Sequence, residues 1–231
     1  MQAIELVRQD LPYEVNEEMK LLRTNMKFCG AEKRVIFITS AIMSEGKSTL
    51  SLNLCTSIAE NGYSVLLIDA DMRKSSLKRY VVGNMPELGL SHYLSGQCEI
   101  VDVICKTNRK NLFVIAGGAV PPNPSELLSS NEMDAIINAG RKACDYVIID
   151  CPPIGMVVDA AVVAAYCDGC IMLIESGNVK YRLAQKAISK IRATNCPLLG
   201  VVLNKVDRRK NKAYYGRYYG KKYAGYYSYE K

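Results

Sequence analysis

Residues 41–49 read Ala41-Ile42-Met43-Ser44-Glu45-Gly46-Lys47-Ser48-Thr49 and directly follow the apolar run Val35–Thr39. A small residue, four spacers and then Gly-Lys-Ser, placed between a strand and a helix, is the spacing of a phosphate-binding loop. Such a loop turns backbone N–H groups toward phosphate oxygens, and the helix that follows adds its positive N-terminal end. The expected nucleotide contacts are Ala41, Ser44, Glu45, Gly46, Lys47, Ser48 and Thr49. Lys47 reaches the β- and γ-phosphates, Ser48 offers its hydroxyl to Mg²⁺, and Thr49 supports the α-phosphate side. Alanine at the first position requires a turn without a positive φ there.

Three aspartates end apolar runs: Asp69 and Asp71 after Val65–Ile68, and Asp150 after Tyr146–Ile149. Two carboxylates two residues apart point the same way from an extended backbone. Mg²⁺ prefers oxygen ligands and keeps several waters. The expected metal set is Ser48, Asp69 and Asp150, with Asp150 acting through a bound water and Asp69 on the metal or in its hydration shell. Asp71 is left as a base for an incoming hydroxyl, so Lys47, Asp69 and Asp71 form the catalytic set. Asn204-Lys205-Val206-Asp207 resembles a guanine-reading segment. The Asp69/Asp71 doublet favours ATP instead, with the Asn204 amide on the adenine edge. Arg73 is assigned equally to phosphate or to Asp71.

A third group lies at the C-terminal end. Residues 214–231 hold eight of the fifteen tyrosines (Tyr214, Tyr215, Tyr218, Tyr219, Tyr223, Tyr226, Tyr227 and Tyr229), separated by glycines and lysines, with no aliphatic core partners. From Arg208 onward eight basic residues face only Glu230, so the net charge of +7 belongs to this tail and the preceding 207 residues are neutral. A nucleic-acid-binding body is not implied. Beside a phosphate loop, such tyrosines suggest an enzyme that phosphorylates its own kind.

Elements must hold these groups. Runs at 35–39, 65–68, 112–115, 146–149, 170–174 and 198–203 are apolar without alternation, as in strands covered on both faces. Helical stretches are expected near 13–29, 47–61, 124–143, 157–166 and 179–194. Asn123, Pro124 and Glu126 supply a cap, a first-turn proline and a capping box. Alternating β and α predicts an α/β fold: a doubly wound, mostly parallel sheet flanked by helices, P-loop NTPase-like, with ligands at the carboxyl ends of the strands. A chain of 231 residues fits one such domain over 1–207 and a flexible tail over 208–231. No run of about 20 apolar residues suggests a membrane span, so a cytoplasmic protein is expected. The nine cysteines are mostly scattered singly and read as small core residues; only Cys167 and Cys170 have C-x-x-C spacing. His92 reads as a surface or helix residue, and the tyrosines at 63, 80, 93, 146, 166 and 181 as structural.

In this order, the phosphate loop, Asp69-x-Asp71-x-Arg73, Asp150 and the tyrosine tail resemble the bacterial tyrosine kinases that regulate capsule and exopolysaccharide synthesis. Gly89–Gly96 and Pro121–Leu128 are similar to that family's intervening signatures. The resemblance implies ATP- and Mg²⁺-dependent phosphorylation of tail tyrosines in a neighbouring subunit. It also implies a ring-like homo-oligomer and recruitment to the inner membrane face by a separate activator of the polysaccharide chain-length regulator type. Other tyrosine-containing proteins are further possible substrates, and nucleic acid is not expected as a partner. The family's E-x-x-R-x-x-R ring motif corresponds to Glu17, Lys20 and Arg23, where Lys20 keeps the charge but lacks the bidentate fork. Arg73-Lys74-Ser75 stands where Arg-Lys-Pro is commoner, a change expected to matter little. The alternative is a partition- or cell-division-type ATPase whose basic tail binds nucleic acid or membrane. Its signature lysine is replaced here by Ile42.

Overall fold

The computed structural model describes residues 2–207. Nine strands form one sheet in the order β4-β1-β5-β6-β3-β7-β2-β8-β9. The five central strands are β6 (Leu112–Ile115), β3 (Val65–Asp69), β7 (Tyr146–Asp150), β2 (Val35–Ser40) and β8 (Gly169–Glu175), all mutually parallel. β9 (Leu198–Asn204) adds a parallel edge to β8. On the other side β5 (Ile104–Thr107) runs antiparallel to β6, β1 (Gln2–Leu6) parallel to β5, and β4 (Val81–Val82) antiparallel to β1.

Side-chain alternation divides the central strands between two cores. Val35, Phe37, Leu66, Ile68, Val147 and Ile149 face one, with α3 (Leu90–Leu94), α5 (Pro124–Leu128), α6 (Asn131–Ala143), α7 (Asp159–Val163) and α8 (Tyr181–Arg192). Ile36, Ile38, Val65, Leu67 and Ile148 face the other, under α1 (Tyr13–Phe28) and α2 (Lys47–Glu60). Both faces being covered explains the continuous apolar runs. In α6, Met133, Ile136, Ile137 and Gly140 form the buried stripe. Its acids lie in the first turn and its bases in the last, as the helix dipole favours.

The expected α/β architecture is present, with differences in detail. The stretch 124–143 is two helices, interrupted at Ser129-Ser130. Pro124 does open the first, but Asn123 makes no side-chain cap. Its amide instead donates to the Glu126 carboxylate at 2.6 Å, so the two capping groups satisfy each other. The stretch 157–166 is α7 followed by a 3₁₀ turn. β9 is an edge strand with Val201 and Leu203 exposed, not a strand covered on both faces. The strands β1, β4 and β5 and the short helices α3 and α4 (Ile100–Val103) were not expected from sequence. Among the described residues no helix is long and apolar enough to cross a membrane.

Candidate functional site

β7 is inserted between β2 and β3, so the carboxyl ends of all three strands meet at one place. Asp69 and Asp150 are directly paired across β3 and β7, and the ladder continues with Ala70 N–H donating to the Asp150 carbonyl at 2.9 Å. The loop that leaves β2 passes over this point. Ser44 (φ 64°) and Gly46 (φ 99°) take left-handed backbone conformations, while Ala41 has no positive φ. α2 then starts at Lys47, whose side chain is almost wholly enclosed.

Glu45 has no solvent exposure. Its carboxylate accepts the Ile42 N–H at 2.7 Å and the Glu175 N–H at 2.8 Å, bracing the loop against the end of β8. What Glu45 can offer a phosphate is therefore its own main chain. Asn204 is a second brace, with its amide donating to the Glu45 carbonyl at 2.8 Å. The same side chain was expected at the adenine edge, and one of the amide's two N–H groups is thus taken up within the loop. Lys205 is a third, bonded to the Ser44 carbonyl and the Glu175 carboxylate, each at 2.9 Å.

A cavity of about 420 Å³ opens over the loop, lined among others by Ser44, Lys47, Ser48, Thr49, Asp71 and Arg73. Asp71 lines it, and Asp69, Asp71 and Asp150 are all buried. Burial raises the pKa of Asp69, and the facing charge of Asp150 raises it further. Asp150 is also raised by burial, opposed by a hydrogen bond from Ser48 and by the charge of Lys47. Asp71 is raised by burial, with Lys47 opposing. A cluster of acids strained in this way suits a cation. Among the described residues no group of three or more His, Cys, Asp or Glu side chains is placed to hold a metal ion by itself. A hydroxyl and two carboxylates with open positions nonetheless fit Mg²⁺, which keeps most of its waters.

Several contributors went unnoticed in the sequence. Ser51 bonds the Lys47 carbonyl at 2.9 Å and reaches Asp150 at 3.4 Å. Ser76 donates to the Ser48 hydroxyl at 2.8 Å, and Ser75 donates to Asp69. Arg73 lines the cavity and lies within the electrostatic reach of Asp71. Its guanidinium grips Asp159 at 2.7 and 3.0 Å, a carboxylate with no solvent exposure that opens α7. The consecutive serines after the aspartate pair were the available signal for Ser75 and Ser76; Ser51 and Asp159 had none.

Thr49 stays at the cavity's edge, and the remaining sequence-predicted groups lie elsewhere. Thr49 bonds the Tyr80 hydroxyl at 2.6 Å. His92 accepts the Gly89 N–H at 3.1 Å at the start of α3. On α1, Glu17 pairs with Lys20 at 2.7 Å, and Arg23 holds the Ser57 carbonyl at 2.7 Å and hydroxyl at 3.0 Å on α2. They border a separate cavity of about 590 Å³. The tyrosines from Tyr214 to Tyr229 lie outside the described residues.

Comparison with known proteins gives a consistent picture. An AAA domain family matches residues 33–194. The chain is 41% identical to tyrosine-protein kinase CpsD of Streptococcus agalactiae over 89% of this chain and 90% of that one. It superposes on the crystal structure of the chimerical protein CapA2B2 with a TM-score of 0.80, at 30% identity, covering 89% of this chain and 94% of the other. The septum site-determining protein MinD of Pyrococcus horikoshii, crystallised with Mg-ADP, shares the fold (TM-score 0.64, 24% identity, 76% of this chain and 71% of that one).

Proposed function

The chain belongs to the bacterial tyrosine-protein kinases of capsule and exopolysaccharide biosynthesis, and from that premise we propose that it transfers the γ-phosphoryl group of ATP to Tyr214–Tyr229 in the tail of a neighbouring copy. That modification would regulate polysaccharide synthesis and export. The observation that carries the reading is the convergence of the loop residues Lys47 and Ser48 with Asp69, Asp71 and Asp150 at one end of the sheet. Phosphoryl transfer requires mainly positioning and charge neutralisation, which is what such a set supplies.

In this mechanism the loop amides and Lys47 hold the β- and γ-phosphates. Ser48, Asp69 and Asp150 would hold Mg²⁺, and the ion would supply charge neutralisation at the phosphates. Asp71 lies beside Lys47, and its burial raises its proton affinity. It accepts the tyrosine proton as the phenolic oxygen attacks. The Asn204 carbonyl oxygen, left over after its amide bonds Glu45, is the acceptor for the adenine amino group. The tail has 24 residues, enough to span about 80 Å when extended, so a neighbour's site is within reach. Glu17, Lys20 and Arg23 would join the copies into a ring-like oligomer. For Arg23 that requires exchanging Ser57 for a partner's group. A membrane-anchored activator of the chain-length regulator type would bring the kinase from the cytoplasm to the membrane.

The test is incubation with Mg-ATP, with and without a peptide from the activator, followed by intact-mass and tandem mass spectrometry beside Lys47→Met. Phosphate on Tyr214–Tyr229 in the wild type and none in the variant is the expected result. ATP hydrolysis with an unmodified tail, despite activator, would overturn the kinase reading and favour a partition-type ATPase.

A further inference from the structure

We infer that Ser75 is a positioning residue for the metal site, its hydroxyl fixing the orientation in which the Asp69 carboxylate meets Mg²⁺ or the waters around it. The inference rests on the metal reading above and adds to it a residue that the sequence treats as a neutral replacement for proline.

Both oxygens of Asp69 are engaged. Oδ1 accepts the Asp71 N–H at 3.2 Å, and Oδ2 accepts the Ser75 hydroxyl. The direction of the hydroxyl proton is itself set, because Ser75 Oγ accepts the Leu77 N–H at 3.3 Å and so turns its own hydrogen to Asp69. Leu77 is buried in the α1/α2-side core, which anchors the segment carrying Ser75. Gly117 lies next to the carboxylate, where an added Cβ would be in ordinary van der Waals contact with Oδ2 at 3.7 Å. The neighbouring Ser76 serves Ser48 in parallel at 2.8 Å.

This orientation needs a holder. Asp69 is paired directly with Asp150 across the sheet, so the two buried carboxylates crowd one another and their relative orientation decides what a cation meets. A hydroxyl that donates to one oxygen leaves the other lone pairs of that carboxylate available for the cation or its water. Hydrogen-bond partners behind a metal-binding group typically change metal affinity 10–100-fold. Proline at position 75 would have no hydroxyl to give, so the device belongs to this chain's own sequence.

The experiment titrates Mg²⁺ into the full chain with a fluorescent ADP analogue, comparing wild type, S75A, S75C, S75T and D69N. ADP binding in EDTA should be the same for wild type and S75A. The Mg²⁺ concentration at half-effect should rise about 10-fold in S75A, return close to wild type in S75T, and fall between in S75C, whose thiol is a weak donor. Should S75A melt below the assay temperature, S75C carries the comparison. A wild-type Mg²⁺ midpoint in S75A or S75C beside a shifted D69N overturns the role of Ser75 alone. An unshifted D69N removes Asp69 from the metal site and overturns both readings.

Discussion

At the scale of single residues, the raised pKa of Asp69 has a measurable consequence. An aspartate in the unfolded chain loses its proton near pH 4, whereas burial and Asp150 keep it on in the fold to higher pH. Between those values the native state binds more protons, so stability falls as pH rises. Asp69→Asn removes that slope. In EDTA at pH 8 it should melt about 4–8 °C above wild type, the shift that about 2 kcal/mol gives a chain of this size. The gap should close toward pH 4, and a scanning-fluorimetry series in pH checks it. A less stable variant at pH 8 would contradict the account. Glu45 gives a second case. Glu45→Ala leaves two enclosed N–H groups without an acceptor and should cost about 2–4 kcal/mol in urea unfolding. Glu45→Gln, which keeps one acceptor, should cost less. The phosphate-loop and strand-end aspartates were legible because their chemistry is written in local spacing. Glu45 and Asn204 were legible only as members of the site. Their roles as braces depend on β8 and β9 arriving beside the loop, and no local pattern records that.

At the scale of elements, the segment after β7 supports the phosphate loop from below. Thr39 on β2 donates to the Pro152 carbonyl at 2.8 Å and accepts the Ile154 N–H at 3.0 Å, drawing that segment under the loop. Gly155 is then so close that an added Cβ would sit 2.0 Å from the Ala41 carbonyl oxygen. Gly155→Ala must therefore displace one backbone from the other. A drop of about 10-fold or more in nucleotide affinity is expected, with far-UV circular dichroism retained; unchanged binding of a fluorescent ADP would show that the loop tolerates the shift. The central strands were readable from their apolar runs. The three strands on the β5 side were not. β4 has only two residues, β1 precedes the expected first helix, and β5 follows α4 without a turn signal. Their pairing comes from the finished sheet. The expected single helix over 124–143 fails for a local reason that was visible, since Ser129-Ser130 offers little helix propensity and a ready new start.

At the scale of the molecule, all of the net charge lies beyond Asp207. Each phosphotyrosine adds about −1.5 to −2 charges, so roughly four would neutralise the tail. Phosphorylated protein should then form smaller assemblies than the unmodified form in light scattering, because the tail withdraws or repels. Equal masses would reject that switch. The tail's composition was the most conspicuous message in the sequence, while the placing of its root was hidden until the sheet was assembled. That root lies beside the active loop. Asn204 and Lys205 hold the loop by its Glu45 and Ser44 carbonyls, and Arg208 is three residues further along. The tail is therefore rooted within a few residues of the two side chains that hold the phosphate cradle in shape. On the proposed transfer between copies, tension on a donated tail would be felt at the donor's own phosphate loop.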